Sequence, residues 1–196
     1  MSSDLVTIKK EASIQEALAL MKQQSIRHLP VVGPDKELEG WVTDADLRGV
    51  LIASMLEELT LEDVMIRKPF TGSPDMPLEE AARVLLEKRV GGLPVVENGT
   101  LVGIITVIDI LSAFITFLGL FSDSSRLDVK VAGDINPLPE LTRIVKQKGA
   151  EIISICHLPT EGQEYIYSIR LKKTDLKPII SDLEEHGIEV DSNFDL

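Results

Sequence analysis

The chain is 196 residues long with 44% hydrophobic and 27% charged residues, which allows a packed core and excludes a disordered polymer. A formal net charge of −12 at pH 7, acidic in both halves, argues against binding to a phosphate backbone, which draws on cationic contacts, so no nucleic-acid partner is expected, while a locally basic pocket for a small anion stays open. The single cysteine excludes an intramolecular disulfide; with no leader-like start and no apolar run of about 20 residues, a cytoplasmic chain with no membrane partner is expected.

In chain order, Leu5-Val6-Thr7-Ile8 reads as a short extended piece. Ser13 followed by Glu16 makes a capping box, and Ile14, Ala17, Leu18 and Met21 recur at helical spacing. Leu29–Val32 is a β-branched strand, Gly33-Pro34-Asp35 a turn, and Leu38–Val42 the returning strand. Thr43 is expected to start a helix running through Leu47, Val50 and Leu51. The same order then recurs. Pro69-Phe70-Thr71 is the extended piece, and Leu78, Ala81, Ala82 and Leu85 mark a helical face. Leu93–Val96 and Leu101–Ile105 are strands around the tight turn Glu97-Asn98-Gly99-Thr100, and Val107–Phe121 is the closing helix.

The polar run Ser122-Asp123-Ser124-Ser125 is expected to separate this region from a different pattern. Leu127, Val129 and Val131 alternate as in a strand. Leu138–Lys148 is helical and closed by Gly149. Ile152–Leu158 and Tyr165–Leu171 are strands joined by a turn at 159–163. Leu176–His186 is a second helix ended by Gly187, and Ile188–Val190 is the last strand. The order βαββαβ predicts a ferredoxin-like four-stranded antiparallel sheet with both helices on one face.

The first two passages are one unit written twice. Ile14–Val32 aligns with Leu78–Val96 at a shift of 64, and Leu38–Leu47 with Leu101–Ile110 at a shift of 63. Each copy ends in Gly-x-x-Thr-x-x-Asp: Gly40, Thr43, Asp46, then Gly103, Thr106, Asp109. Such short units are expected to pack on each other. Thr-x-x-Asp alone is a routine helix start. Its recurrence, each time after Leu-Pro-Val-Val, points to two equivalent ligand sites instead. A helix N-terminus suits phosphate, a carboxylate beside it suits vicinal ribose hydroxyls, and strand Val and Leu side chains suit the faces of a base.

Gly-x-x-Thr-x-x-Asp after Leu-Pro-Val-Val, in tandem, resembles a pair of CBS motifs, a Bateman module, over roughly residues 1–122, with motif 1 about 1–60 and motif 2 about 61–122. The resemblance implies clefts that hold AMP, ADP, ATP or S-adenosylmethionine. One site would use Thr43 and Asp46 with Thr7 and His28 nearby, the other Thr106 and Asp109 with Thr71 and Gly92. The copies differ in charge: Arg27 and His28 correspond to Gly91 and Gly92, and Arg48 to Leu111. The cleft near Thr43 is therefore expected to be the better phosphate site, set against the alternative that Arg27 and Arg48 are exposed surface cations.

Residues 126–196 resemble an ACT domain, which implies an amino-acid ligand at the loop 133–137. That loop lacks the Pro-Gly pair of many ligand-binding members, so packing or dimerisation is the preferred role. The layout is similar to that of bacterial acetoin-utilisation regulatory proteins. The fold class expected is α/β (α+β), a tandem CBS pair followed by a ferredoxin-like ACT-like domain.

No catalytic or metal-binding residues stand out. His28, His157 and His186 are far apart in sequence, Cys156 on a strand reads as core, and Trp41 reads as core rather than ligand-stacking. The expected function is a non-catalytic regulatory protein that couples adenine-nucleotide binding to the ACT-like domain or a partner. A structural oligomerisation module with empty clefts and a small nucleotide-hydrolysing enzyme are the alternatives. Leu111, Phe114, Ile115, Leu118 and Phe121, with Phe117, form an apolar stripe that predicts a homodimer.

Overall fold

The structure is a computed structural model that describes residues 4–56, 59–132, 137–158 and 164–195. The elements are α1 (Ile14–Gln24), β1 (His28–Val32), β2 (Leu38–Thr43), α2 (Asp44–Leu56), α3 (Leu61–Val64), α4 (Leu78–Lys88), β3 (Gly92–Glu97), β4 (Thr100–Thr106), α5 (Val107–Leu118), β5 (Ser124–Ala132), α6 (Leu138–Gln147), β6 (Ile152–Leu158), β7 (Glu164–Lys172), α7 (Lys177–Glu185) and β8 (Glu189–Asp195). They divide into two compact units, Met1–Leu111 and Ser112–Leu196, and the division falls inside α5.

The first unit repeats itself in backbone geometry as it does in sequence. In the first copy Ser13 and Glu16 close the capping box at α1, and β1 pairs antiparallel with β2 from His28↔Thr43 to Val32↔Leu38. The second copy pairs β3 with β4 from Gly92↔Thr106 to Glu97↔Thr100, and both ladders slip one residue at equivalent valines, Val31/Val32 and Val95/Val96. Asn98 and Gly99, both at positive φ, make the tight turn of the second hairpin. The extended pieces join as parallel bridges, Ile8↔Val31 and Gly72↔Val95.

Each copy keeps a core of its own. Ile14, Ala17, Met21, Leu29, Val31, Val42 and Leu47 fill the first, to which α3 adds Leu61 and the residue after it adds Met65. Gly40 lets Met65 in: a Cβ there would lie 2.4 Å from its sulfur. The second core is smaller, with Ala81, Leu85, Leu93 and Ile110 buried. The copies meet through equivalent positions. Their hairpin ends bridge at Glu37↔Thr100, and the amides of Leu38 and Leu101 donate to the carbonyls of Gly99 and Lys36. At the other end the His28 ring lies against Gly91, where a Cβ would come within 2.6 Å of Nε2.

In the second unit the sheet order is β6-β7-β5-β8, all antiparallel, the ferredoxin-like order. Leu127, Val129, Ile169 and Leu171 pack one sheet face against Leu141, Ile144 and Val145 of α6 and Ile179 and Leu183 of α7. Gly149 and Gly187, at positive φ, end the two helices.

Three expectations are corrected here. The closing helix stops at Leu118, because Gly119 takes φ +66° and the Leu120 amide turns back to the Ile115 carbonyl. Ser124 and Ser125 are not a polar break: both are fully buried at the start of β5, held by Arg170 and by Thr174. Cys156 is half-buried, but on the sheet face away from the helices, since alternation puts Ile155 in the core and its neighbour opposite. The residues 133–136 of the expected amino-acid loop, and the turn at 159–163, lie outside the described residues.

Candidate functional site

Each Thr-x-x-Asp of the first unit borders a cleft, and each of these clefts is lined by both copies. The first, about 1000 Å³, is bounded by Thr43, Asp44, Ala45 and Asp46 at the start of α2 and by Arg89, Val90 and Gly91 after α4. The second, about 600 Å³, is bounded by Thr106, Val107, Ile108 and Asp109 at the start of α5 and by Ser25, Ile26 and Arg27 after α1. Ser25–Arg27 and Arg89–Gly91 are equivalent segments that each reach the other copy's Thr-x-x-Asp, and they meet between the clefts, since Ser25–Arg27 also line the first cleft and Gly91 also lines the second.

The Thr and Asp of each copy are joined. Thr43 Oγ1 donates to Asp46 Oδ2 at 2.6 Å, and the Asp46 amide donates back to Thr43 Oγ1 at 3.2 Å. In the second copy the same two bonds form at 2.6 and 3.3 Å, and the Thr106 amide adds a third to Asp109 Oδ2 at 2.8 Å. The pair therefore caps its helix, as the routine reading requires, and lines a cleft as well. Asp46 is exposed, whereas Asp109 is half-buried. The first helix amides, of Asp44 and Val107, are taken by the carbonyls of Arg27 and Gly91.

Arg27 and His28 border both clefts. The His28 ring stacks on Trp41 with centroids 5.6 Å apart, and burial, helped by the Arg27 charge, pushes its pKa down from the ordinary value. Trp41 is buried, as expected, yet it also walls the first cleft. Arg48 lines that cleft but is engaged by Asp44, one turn earlier on α2, at 2.7 Å. This hydrogen bond holds the Asp44 carboxyl below the usual carboxylate range.

Thr7 and Thr71 border neither cleft. The extended piece alternates, so Val6 lines the second cleft while Thr7 lines a separate hollow with Lys36 and Val102. Gly92 sits beside the His28 ring and the Thr106 methyl group, behind the second cleft rather than in its wall. Lys22 and Arg89 in the first cleft, and Asp4 and Val6 in the second, escaped sequence reasoning. Arg89 was legible as the counterpart of Ser25 in the repeat, but only a fold that crosses the copies brings it to Thr43. Among the described residues no three His, Cys, Asp or Glu side chains gather as a metal site, and no helix is long and apolar enough to cross a membrane.

A tandem repeat with two clefts, each lined by both copies, precedes a ferredoxin-like unit in this chain. The CBS domain family matches residues 1–53 and 61–116, more than half of the chain, and the chain belongs to that family. Among solved structures, the CBS domain pair of protein MJ0100, a complex with 5′-methylthioadenosine and S-adenosyl-L-methionine, is 30% identical, with TM-score 0.54, over 58% of this chain and 90% of that one. A protein of Vibrio cholerae named for acetoin utilization (AcuB) is 33% identical, with TM-score 0.57, over 62% and 92%. Among curated proteins, a homoserine O-acetyltransferase of Methanohalobium evestigatum is 36% identical over 111 residues, which are 56% of this chain but 22% of that protein. The chain thus spans about a fifth of the length of such relatives. The solved CBS-pair structures are matched over most of their own length, which supports a general regulatory, ligand-sensing role of the CBS-pair kind.

Proposed function

We propose that the first unit senses an adenine nucleotide, AMP, ADP or ATP, with the cleft at Thr43 and Asp46 as the tighter site. One observation carries the reading: in a chain of net charge −12, this cleft gathers Lys22, Arg27, Arg48 and Arg89 against Asp44 and Asp46. Asp44 cancels Arg48, and among the described residues Lys22, Arg27 and Arg89 form no ion pair, which leaves three cations for phosphate. Asp46, fixed by Thr43, has the acceptor capacity for two ribose hydroxyls, and the Trp41–His28 pair supplies a flat wall for a base. S-adenosylmethionine, named in one similar structure, shares the adenosine but not the phosphate. In calorimetry with AMP, ADP, ATP and S-adenosylmethionine, Asp46→Ala is expected to weaken nucleotide binding by about 1.5–3 kcal/mol, as for a hydrogen bond to a charged group. Wild-type affinity in that variant ends this assignment.

Occupancy of the clefts would be read out through α5, whose first turn carries Asp109 and whose later turns belong to the second unit. The apolar side chains exposed on α5 and just beyond it, among them Leu111, Phe114, Phe117 and Phe121, favour a homodimer. Phe121 is 88% exposed and Phe117 64%. Light scattering is expected to give twice the 21.6 kDa chain mass, and Phe114→Glu to shift it toward the monomer; a monomeric wild type at tens of micromolar removes the proposal. An amino-acid ligand on the second unit remains secondary to packing.

A further inference from the structure

The sheet of the second unit has two faces, and helix packing explains one of them. Leu127, Val129, Ile169 and Leu171 point to α6 and α7, so alternation turns Arg126, Asp128, Ser168 and Arg170 to the other side. There Arg126 and Arg170 stand directly opposite each other across the β5–β7 pair, where like charges repel. Arg126 is compensated: its Nε and Nη2 donate to the two carboxylate oxygens of Asp128 at 2.9 and 2.7 Å. Arg170 is not. It is 6% exposed, its Nη1 donates to Ser124 Oγ at 2.8 Å, and among the described residues it joins no carboxylate. A buried guanidinium with one hydroxyl partner keeps its charge and most of its N–H donors uncompensated.

Arg170 lines a hollow of about 150 Å³, with Cys156 beside it and Leu118, Leu120 and Leu158 as apolar walls. The turn after α5 forms part of this wall. Ser154 Oγ donates to the Leu118 carbonyl at 2.9 Å, and a Cβ on Gly119 would lie 2.5 Å from Ile153 and 3.4 Å from Arg170 Cδ. The planar guanidinium fork suits a carboxylate through two parallel N–H···O bonds, and the leucines suit a short hydrocarbon tail. A phosphate dianion would find one free cation for its two charges. An amino acid would bring its ammonium against a guanidinium.

We infer that this hollow on the outer sheet face binds a short-chain monocarboxylate, held by Arg170 and walled by Leu118, Leu120 and Leu158. Its described lining residues lie outside 133–137, where the ACT resemblance places an amino acid, and the inference is independent of the nucleotide proposal.

Cys156, the one cysteine of the chain, borders the hollow and reports on its occupancy. Alkylation of the full chain by iodoacetamide, a neutral reagent, is followed while propionate is titrated at constant ionic strength. Urea midpoints at the same concentrations read binding without the thiol. Propionate is expected to slow alkylation saturably, at least fivefold, and to raise the urea midpoint. Phosphate, chloride and glycine are expected to change the alkylation rate less than twofold. Arg170→Gln and Arg170→Lys, each checked for folding by circular dichroism, are expected to lose at least tenfold in propionate affinity. The ranking of the probes is read on the wild type, so a variant that does not fold leaves the inference exposed to refutation. Propionate that neither protects the thiol nor raises the midpoint overturns it. So does an equal effect of phosphate or chloride, glycine matching propionate, or undiminished affinity in either folded variant.

Discussion

The two copies share a backbone plan and differ at the point where they touch. Near the axis that relates them, equivalent residues face each other, so the first copy's Arg27-His28 meets the second copy's Gly91-Gly92. A side chain at position 91 would not fit against that ring: its Cβ alone would already lie 2.6 Å from His28 Nε2. The difference teaches that where equivalent segments of a duplicated unit face each other, one bulky residue requires a small one opposite. The unequal charge of the clefts is a second asymmetry, since Lys22, Arg48 and Arg89 border the first cleft and not the second, whereas Arg27 borders both.

The most direct way to break the comparison is to fill the glycine. Gly91→Val places its branched carbons where the His28 ring lies, and that ring is held against Trp41. A loss of about 1–3 kcal/mol in urea denaturation is expected, the usual cost of overpacking. His28→Gly in the same chain is expected to restore most of it. A Gly91→Val variant as stable as wild type, or a loss that His28→Gly does not relieve, would mean that the two residues do not determine each other.

The helix caps sharpen the comparison at smaller amplitude. The second copy closes three hydrogen bonds between Thr106 and Asp109 in a half-buried setting, and the first shows two between Thr43 and Asp46 in an exposed one. Thr106→Ala is expected to cost about 1 kcal/mol, within the range for losing an N-cap, and Thr43→Ala less than that. Equal losses in parallel urea titrations would show that burial of the cap adds nothing.

Most of this plan was legible in the sequence because it is local. The Ser13/Glu16 box, the Asn98-Gly99 turn and the glycines that end α6 and α7 each declare themselves within a few residues, and the repeat declares the rest of the first unit. What failed depended on distance. Ser124 and Ser125 look like a linker until the Arg170 side chain, 46 residues after Ser124, is placed beside them. Arg89 looks like a surface cation until the copies cross. Arg48 looks free for phosphate until helix periodicity puts Asp44 one turn away from it. Thr7 rests on the family resemblance alone, and simple alternation along the extended piece places it opposite Val6.

The smallest expected effect isolates His28 by pH. In the unfolded chain its imidazole titrates near 6.5, and in the folded chain burial first, then the Arg27 charge, lowers that value. Between the two values the unfolded state binds more protons, so the stability tied to this group is fully present above pH 6.5 and declines as pH falls below it. The second copy has Gly92 at the matching position and contributes nothing of the kind. Comparing urea midpoints from about pH 7.5 down to about 5.5, before carboxylates begin to dominate, wild type is expected to lose stability relative to His28→Gly. Arg27→Gln is expected to reduce the slope without abolishing it, since burial is the larger cause and Arg27 the smaller. If wild type and His28→Gly run parallel across that range, the imidazole is not buried against Gly91 as described, and the axis between the copies must be packed some other way.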